Sequence, residues 1–186
     1  VLSLEYLNSL IDKHYYLGDG KNVSKKLVLQ GGKFSSKDGS NHDGSYMFPI
    51  EVRPTEDGSP SIFTVNRRCK INCDVTGSGD LEYDIPYVRE YLQGDWTQFY
   101  GRLYAKGMGT DTDGSQLMLQ NGFKGFPNTP ITLQNNTRVL EWGISNATCE
   151  LGGLSGEAGT FLSCGSKDNG SARMKWIVGS ANTDEV

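Results

Sequence analysis

After residue 25 the sequence alternates apolar and polar residues with a period of two, and this alternation constrains the fold more than any other feature. Turn-forming pairs such as Asp-Gly and Asn-Gly separate the alternating segments. We predict strands over residues 26–30, 46–52, 61–66, 68–75, 85–92, 96–106, 115–120, 130–133, 138–144, 148–151, 160–164 and 173–178. No alternation of strands with helices and no internal repeat is evident. Short strands with such turns favour an all-β, jelly-roll-like antiparallel β-sandwich.

The first residues show a different period. Apolar or half-apolar side chains follow a three-four spacing at Leu4, Leu7, Ile11 and His14. This spacing predicts a short N-terminal α-helix. A stripe of two heptads is too short to be stable alone, so the helix must pack on the domain or on copies of itself. We therefore divide the chain into a helical connector, 1–20, and a β-sandwich domain, 21–186.

Composition excludes some functions without naming one. The chain has 186 residues, of which 24 are Gly, and its formal net charge is −4. That charge argues against a nucleic-acid-binding protein that works through bulk phosphate attraction. No apolar run approaches the ~18 residues that a membrane span needs, so we expect no membrane insertion.

The four cysteines fall into two pairs. On a strand, Cys69 and Cys73 would share a face about 13 Å apart, which is too far for a disulfide. Cys149 and Cys164 flank the Gly-rich segment 151–159. A hairpin there would bring the two thiols together, so the sequence allows a Cys149–Cys164 disulfide, with two separate thiols as the alternative.

The most specific motif lies in residues 91–107, where a Leu and a turn Gly precede an alternating strand that ends in aromatic-Ala-Lys-Gly. The matching residues are Leu92, Gly94, Phe99, Leu103, Tyr104, Ala105, Lys106 and Gly107. The pattern resembles jelly-roll tip domains of bacteriophage tail fibres and tailspikes, which look like carbohydrate-binding modules. With two further strands expected at 131–134 and 137–142, the resemblance covers residues 83–145. It implies a homotrimeric receptor-binding or assembly module on a virion surface, outside the cell.

One face of this segment is a candidate sugar platform, formed by Trp96, Tyr100, Arg102 and Tyr104. Aromatic rings stack on the apolar faces of sugars, and guanidinium groups donate to hydroxyls. Two alternatives stay open: the aromatic rings lie in the core, or the face is a subunit interface.

Carboxylates are the other candidates for chemistry, since glycoside cleavage needs two of them about 5–10 Å apart. Glu82, Asp84 and Glu90 cluster in the sequence, and Glu141 lies between two apolar residues. Glu141 is the best single candidate for a catalytic acid. Strand alternation, however, favours an orientation in which Glu141 faces solvent and its apolar neighbours face the core. We therefore assign no catalytic residue.

Other chemistry has less support. Asp111 and Asp113 lie in a Gly-flanked loop and offer two oxygen ligands, so a calcium ion could bind there; the alternative is a plain Asp-Gly turn. Apart from that ion, no cofactor is expected. The two histidines, His14 and His42, fit no hydrolase triad.

The sequence thus predicts a non-enzymatic viral appendage domain that attaches to a cell-surface glycan or protein receptor, or that assembles trimers. The first alternative is a polysaccharide-degrading glycosidase or lyase domain on the same sandwich. The second is a structural coat or decoration protein. No single cleft with acids, aromatics and His separates the three.

Overall fold

A computed structural model of the chain describes residues 2–5, 14–15, 26–37, 45–65, 69–87, 90–109, 114–120, 123–142, 148–163 and 175–181. Side chains are described within these ranges from residue 26 onward, except at residues 36 and 37. All regular structure in this part of the chain is β-strand.

The strands are short, and most have two to five residues. In chain order they are β1 (Leu2–Glu5), β2 (His14–Tyr15), β3 (Leu27–Leu29), β4 (Lys33–Lys37), β5 (Ser45–Tyr46), β6 (Ile50–Val52), β7 (Ser61–Thr64), β8 (Lys70–Asn72), β9 (Val75–Gly77), β10 (Leu81–Ile85), β11 (Glu90–Gln93), β12 (Gln98–Phe99), β13 (Leu103–Gly107), β14 (Ser115–Leu119), β15 (Phe126–Gln134), β16 (Thr137–Glu141), β17 (Thr148–Gly156), β18 (Phe161–Ser163) and β19 (Lys175–Val178).

The strands form three parallel sheets around a common interior. Sheet A has the order β1-β4-β7-β10-β13-β15-β17-β19, sheet B has β18-β16-β14-β11-β8-β5-β2, and sheet C has β12-β9-β6-β3. Every described pairing is parallel and joins a strand to the equivalent strand of a neighbouring coil. The chain therefore winds as a β-solenoid.

The predicted jelly-roll-like antiparallel sandwich is therefore wrong, although the all-β class is confirmed. A Gly- or Asp-containing turn can close an antiparallel hairpin or turn one corner of a coil, and the local sequence is similar in both cases. The direction of the neighbouring strand depends on residues a full coil away.

The predicted N-terminal helix is also wrong. Leu2–Glu5 forms β1, which pairs in parallel with β4, and His14–Tyr15 forms β2, which pairs with β5. A stripe of two heptads gives little helix stability of its own, so pairing with an existing strand edge decides the conformation. The predicted domain boundary near residue 20 lies outside the described residues and stays a prediction.

The solenoid repeat escapes sequence inspection because its coils differ in length. The stacked inward positions Phe34, Phe63, Tyr83, Ala105, Leu133 and Gly156 are 29, 20, 22, 28 and 23 residues apart. The extra residues are placed in corners, where they do not disturb strand stacking. A fixed-period search therefore finds no repeat.

The interior holds the inward residue of each alternation. Phe34 stacks on Phe63 with ring centroids 5.1 Å apart and planes 13° apart, and Phe63 packs on Tyr83 at 5.7 Å. Tyr46 and Phe48 pack edge-on against each other in the same cluster. All five side chains are at most 2% exposed. This aromatic ladder fixes the stacking of the first coils.

The coils change shape along the axis, and this positions the surfaces considered below. Sheet C ends at β12, and among the described residues after β12 no strand belongs to it. Instead β15 and β17 each run nine residues, with a register shift between Phe126 and Pro130. In the described part of the chain, no helix is long and apolar enough to cross a bilayer.

Candidate functional site

The outer face of sheet A carries two rows of polar side chains, which we call the polar face. One row stacks Lys33, Ile62, Glu82, Tyr104, Thr132 and Ser155 on successive strands. The other stacks Ser35, Thr64, Asp84, Lys106 and Gln134. Because neighbouring strands are about 4.8 Å apart, each row places one side chain per strand along the solenoid axis.

Two acids and two lysines form the charged half of this face. Lys106 donates to Glu82 Oε1 at 2.9 Å, and this hydrogen bond is the main cause of a raised pKa for Lys106. Asp84 Oδ2 accepts from Thr64 Oγ1 at 2.7 Å and lies 3.5 Å from Lys33 Nζ. Asp84 is only 4% exposed. Both contacts come from the preceding strands of sheet A, and they hold the buried Asp84 side chain in place.

Hydroxyls and an aromatic ring form the other half. Tyr104 is half-buried in the middle of its row, between Glu82 and Thr132. Thr132 Oγ1 accepts from the Arg102 guanidinium at 3.2 Å and lies 3.0 Å from Ser155 Oγ. An aromatic surface thus lies beside donors and acceptors whose positions the strands fix.

The structure separates the four residues of the predicted sugar platform. Trp96 is 2% exposed and packs edge-on against Phe99 and Phe126 in the interior. Tyr100 is 53% exposed at the corner between sheets C and A. Arg102 and Tyr104 reach the polar face. Trp96 therefore cannot stack on a surface ligand, whereas the other three side chains stay accessible.

The sequence interpretation placed Glu141 in solvent, but the structure places it inside. Glu141 is 0% exposed and points inward, on the same side of β16 as Thr137 and Val139. Leu140 points outward but is also buried. Glu90, also 0% exposed, lies inside as well. Of the four acids considered for glycoside cleavage, all within the described residues, Glu82 and Asp84 lie on the outer face and Glu90 and Glu141 lie inside.

The other predicted sites stay predictions. Asp111, Asp113 and Cys164 lie outside the described residues. Cys149 is buried, which raises the pKa of its thiol to about 12, but its pairing with Cys164 is not tested. Within the described ranges, no group of three or more His, Cys, Asp or Glu side chains could hold a metal ion.

Sequence reasoning missed Lys33, Thr64, Lys106 and Thr132 as parts of one surface. The sequence does contain a sign of this surface in two segments, Glu82-Tyr-Asp84 and Tyr104-Ala-Lys106. Each has polar or aromatic residues on both sides of an inward residue. Only parallel stacking at a spacing of 22 residues brings the two segments side by side. No residue pattern within either segment indicates that spacing.

Comparison with protein-family models, with curated proteins and with solved structures gives no match. The fold and the geometry of the polar face therefore carry the functional argument.

Proposed function

We propose that this chain is a non-enzymatic attachment domain of a viral appendage and that a cell-surface glycan binds along its polar face. The observation that supports this most is the half-buried Tyr104 ring, which lies in register between the Glu82 carboxylate and the Thr132 hydroxyl. A tyrosine ring offers an apolar surface to a sugar, and its two neighbours offer an acceptor and a hydroxyl.

The shape of the face favours a linear ligand. The two rows run across adjacent strands, so a polymer laid along the solenoid axis meets a new pair of side chains about every 4.8 Å. Apart from the buried Asp84, the side chains of the two rows are half-buried or exposed, and binding gains strength from many shallow contacts rather than from one deep pocket.

Glycan-array screening of the full chain tests the proposal, followed by calorimetric titration of the best oligosaccharide. Tyr104→Ala is expected to weaken binding about tenfold, because it removes the central aromatic contact. Tyr91→Ala is the matched control, since Tyr91 is a half-buried tyrosine on the outer side of sheet B. Equal loss in both variants, or no bound glycan at all, would contradict a glycan site on the polar face. Tight binding to a particle lattice without glycan binding would favour a structural coat protein.

The proposal includes assembly as a homotrimer on the virion surface, because the motif in residues 91–107 resembles tail-fibre tip domains and a β-solenoid is compatible with proteins of that kind. Three copies would combine weak sites into tight attachment. Multi-angle light scattering of the full chain at micromolar concentration tests this part, and a monomeric mass would refute it.

A second candidate function is cleavage of the bound polysaccharide. Glu82 and Asp84 leave the same side of β10 two residues apart, which is about 7 Å along a strand and within the range for glycosidase carboxyl groups. The lysine partner of each acid favours a structural role instead. Release of reducing ends by the full chain, abolished by Glu82→Gln and unaffected by Glu141→Gln, would establish the enzyme.

A further inference from the structure

A second surface feature lies at the corner between sheets C and A, where successive coils have connections of different length. Residues 53–60 connect β6 to β7, whereas only residues 78–80 connect β9 to β10 in the next coil. The longer connection leaves a cleft of about 140 Å³ beside the shorter one. Thr55, Gly58 and Ser59 line one side, and Ser78, Gly79 and Asp80 line the other. We call this the corner cleft.

The long connection is held in shape by its own hydrogen bonds. Asp57 accepts from the Ser59 backbone N–H at 3.0 Å and from Ser59 Oγ at 2.8 Å, and Thr55 Oγ1 donates to the Ser59 carbonyl at 2.9 Å. Gln30 donates to the Pro54 carbonyl at 3.1 Å from the preceding coil. One wall of the cleft is therefore preorganised, which lowers the entropy cost of binding.

The opposite wall is fixed by the next coil. Asp80 Oδ1 accepts from the Arg102 backbone N–H at 2.9 Å, which anchors the carboxylate at the corner. Tyr100 donates its backbone N–H to the Gly77 carbonyl at 2.8 Å, so its exposed side chain lies one strand beyond Ser78. The Tyr100 hydroxyl donates to Gln98 Oε1 at 3.2 Å, and Tyr100 does not line the cleft.

The chemistry of the lining selects the kind of ligand. It offers three hydroxyls and one carboxylate, and none of the lining residues is basic. Asp57, whose carboxylate accepts hydrogen bonds from the lining residue Ser59, adds negative charge beside the cleft. The nearest arginines are engaged elsewhere, Arg53 with Glu51 and Arg102 with Thr132. Hydroxyl groups fit these partners, whereas a carboxylate or sulfate would meet like charge and no cation.

We propose that the corner cleft binds one neutral sugar unit and excludes uronic and sialic acids. This inference rests on the proposed glycan-binding function and names the class of sugar that it takes. The cleft volume of about 140 Å³ is below the ~300–1,000 Å³ of enclosed small-molecule sites, so the cleft receives one edge of a single ring and leaves the rest in solvent. Asp80, Ser78 and Ser59 exchange hydrogen bonds with the hydroxyls of that ring.

Amide chemical shifts of the isotope-labelled full chain test the proposal, with free glucose, galactose, mannose and glucuronic acid as probes at equal millimolar concentrations. At least one neutral hexose is expected to shift the amides of Gly58, Ser59 and Gly79, while glucuronic acid leaves them unchanged. Failure of all three hexoses to move these amides, or an equal response to glucuronic acid, would overturn the proposal.

Two variants make the test specific to the cleft. Ser78→Phe fills the cleft from an exposed position and is expected to abolish the hexose response. Thr76→Phe, at an exposed position on the outer side of sheet C, is the matched control and is expected to keep it. Asp80→Asn retains an oxygen for the Arg102 N–H but removes the charge, so glucuronic acid is expected to gain binding by several-fold. An unchanged preference in Asp80→Asn would refute the exclusion of acidic sugars.

The outcomes separate this inference from the proposed function. Array binding that depends on Tyr104, without any shift of the cleft amides, would refute the corner cleft alone. A hexose response in the cleft, with no array binding that depends on Tyr104, would refute the polar face as the glycan site.

Discussion

Gly101 lies so close to Gly79 that a Cβ atom built on Gly101 would be 2.0 Å from the Gly79 carbonyl oxygen. The same stacking continues to the preceding coil, where a Cβ on Gly79 would be 2.2 Å from the Arg53 carbonyl oxygen. The corner between sheets C and A is therefore built from backbone against backbone, and side chains at these two positions would push the coils apart.

Gly101→Ala is accordingly expected to destabilise the protein by about 1–3 kcal/mol, because the backbone at the corner must move to admit a methyl group. Gly32→Ala is the matched control, since nothing lies within 4 Å of a Cβ built there and the effect should be small. Urea denaturation followed by circular dichroism measures both. Equal midpoints for the two variants would show that the corner is looser than the contact distance indicates.

The stack of Phe63 between Phe34 and Tyr83 should dominate the stability of the first coils. Phe63→Ala is expected to cost about 3–5 kcal/mol through lost burial and a cavity. Phe161→Ala, at a phenylalanine that is 50% exposed, should cost less than about 1 kcal/mol even though Arg138 lies over its ring. Thermal unfolding distinguishes them, and similar melting temperatures would contradict a continuous aromatic core.

The Tyr83 hydroxyl should contribute nothing to stability. It is buried and has no hydrogen-bond partner among the described residues, and burial raises the pKa of this phenol well above its usual range. Tyr83→Phe is therefore expected to leave the free energy of unfolding unchanged or to raise it by about 1 kcal/mol. Thr129→Val is the contrasting variant, because it removes a buried 2.7 Å bond to the Phe99 carbonyl and should cost about 1–3 kcal/mol. A clear loss in Tyr83→Phe would indicate a bound water or an unrecognised partner.

Asp95 should give stability a defined pH dependence. Hydrogen bonds from Lys124 and then Thr97 lower the pKa of Asp95 to about 2. Since an unfolded Asp titrates near pH ~3.9, the stabilisation is complete above that pH and disappears as the pH falls through about 2. The side chain is about one-third exposed, so solvent screening limits the contribution to about 1 kcal/mol.

Denaturation midpoints between pH 5 and pH 2 test this pH dependence. The gap between the native chain and Asp95→Asn is expected to close as the pH falls, and Lys124→Met should reduce the gap in the same pH range. A gap of constant size across the range would show that the carboxylate charge contributes nothing.

Much of the local structure could be predicted from the alternation. In residues 98–105 the sequence places Phe99, Leu103 and Ala105 on one side, and all three are buried. Gln98, Tyr100, Arg102 and Tyr104 lie on the other side and are exposed or half-buried. The alternation would place Trp96 on the same side as Gln98, but Trp96 precedes β12 by a turn and its side chain lies inside. Alternation gives the inward face of β12 and β13 correctly, but a corner resets it before β12, and in β16 the predicted face is reversed at Glu141.

The sequence alone determined that this is an all-β protein and, in β13, which residues point inward, because both properties follow from the two-residue period of the backbone. In β16 only the structure placed Glu141 inside. Only the tertiary structure decided that neighbouring strands are parallel and that Glu82, Tyr104 and Thr132 form one row. These residues are 22 and 28 positions apart, and the contact between them depends on how many residues each corner holds. The number of residues in a corner follows no period in the sequence. The proposed glycan-binding surface is therefore recognisable only once the coils are stacked.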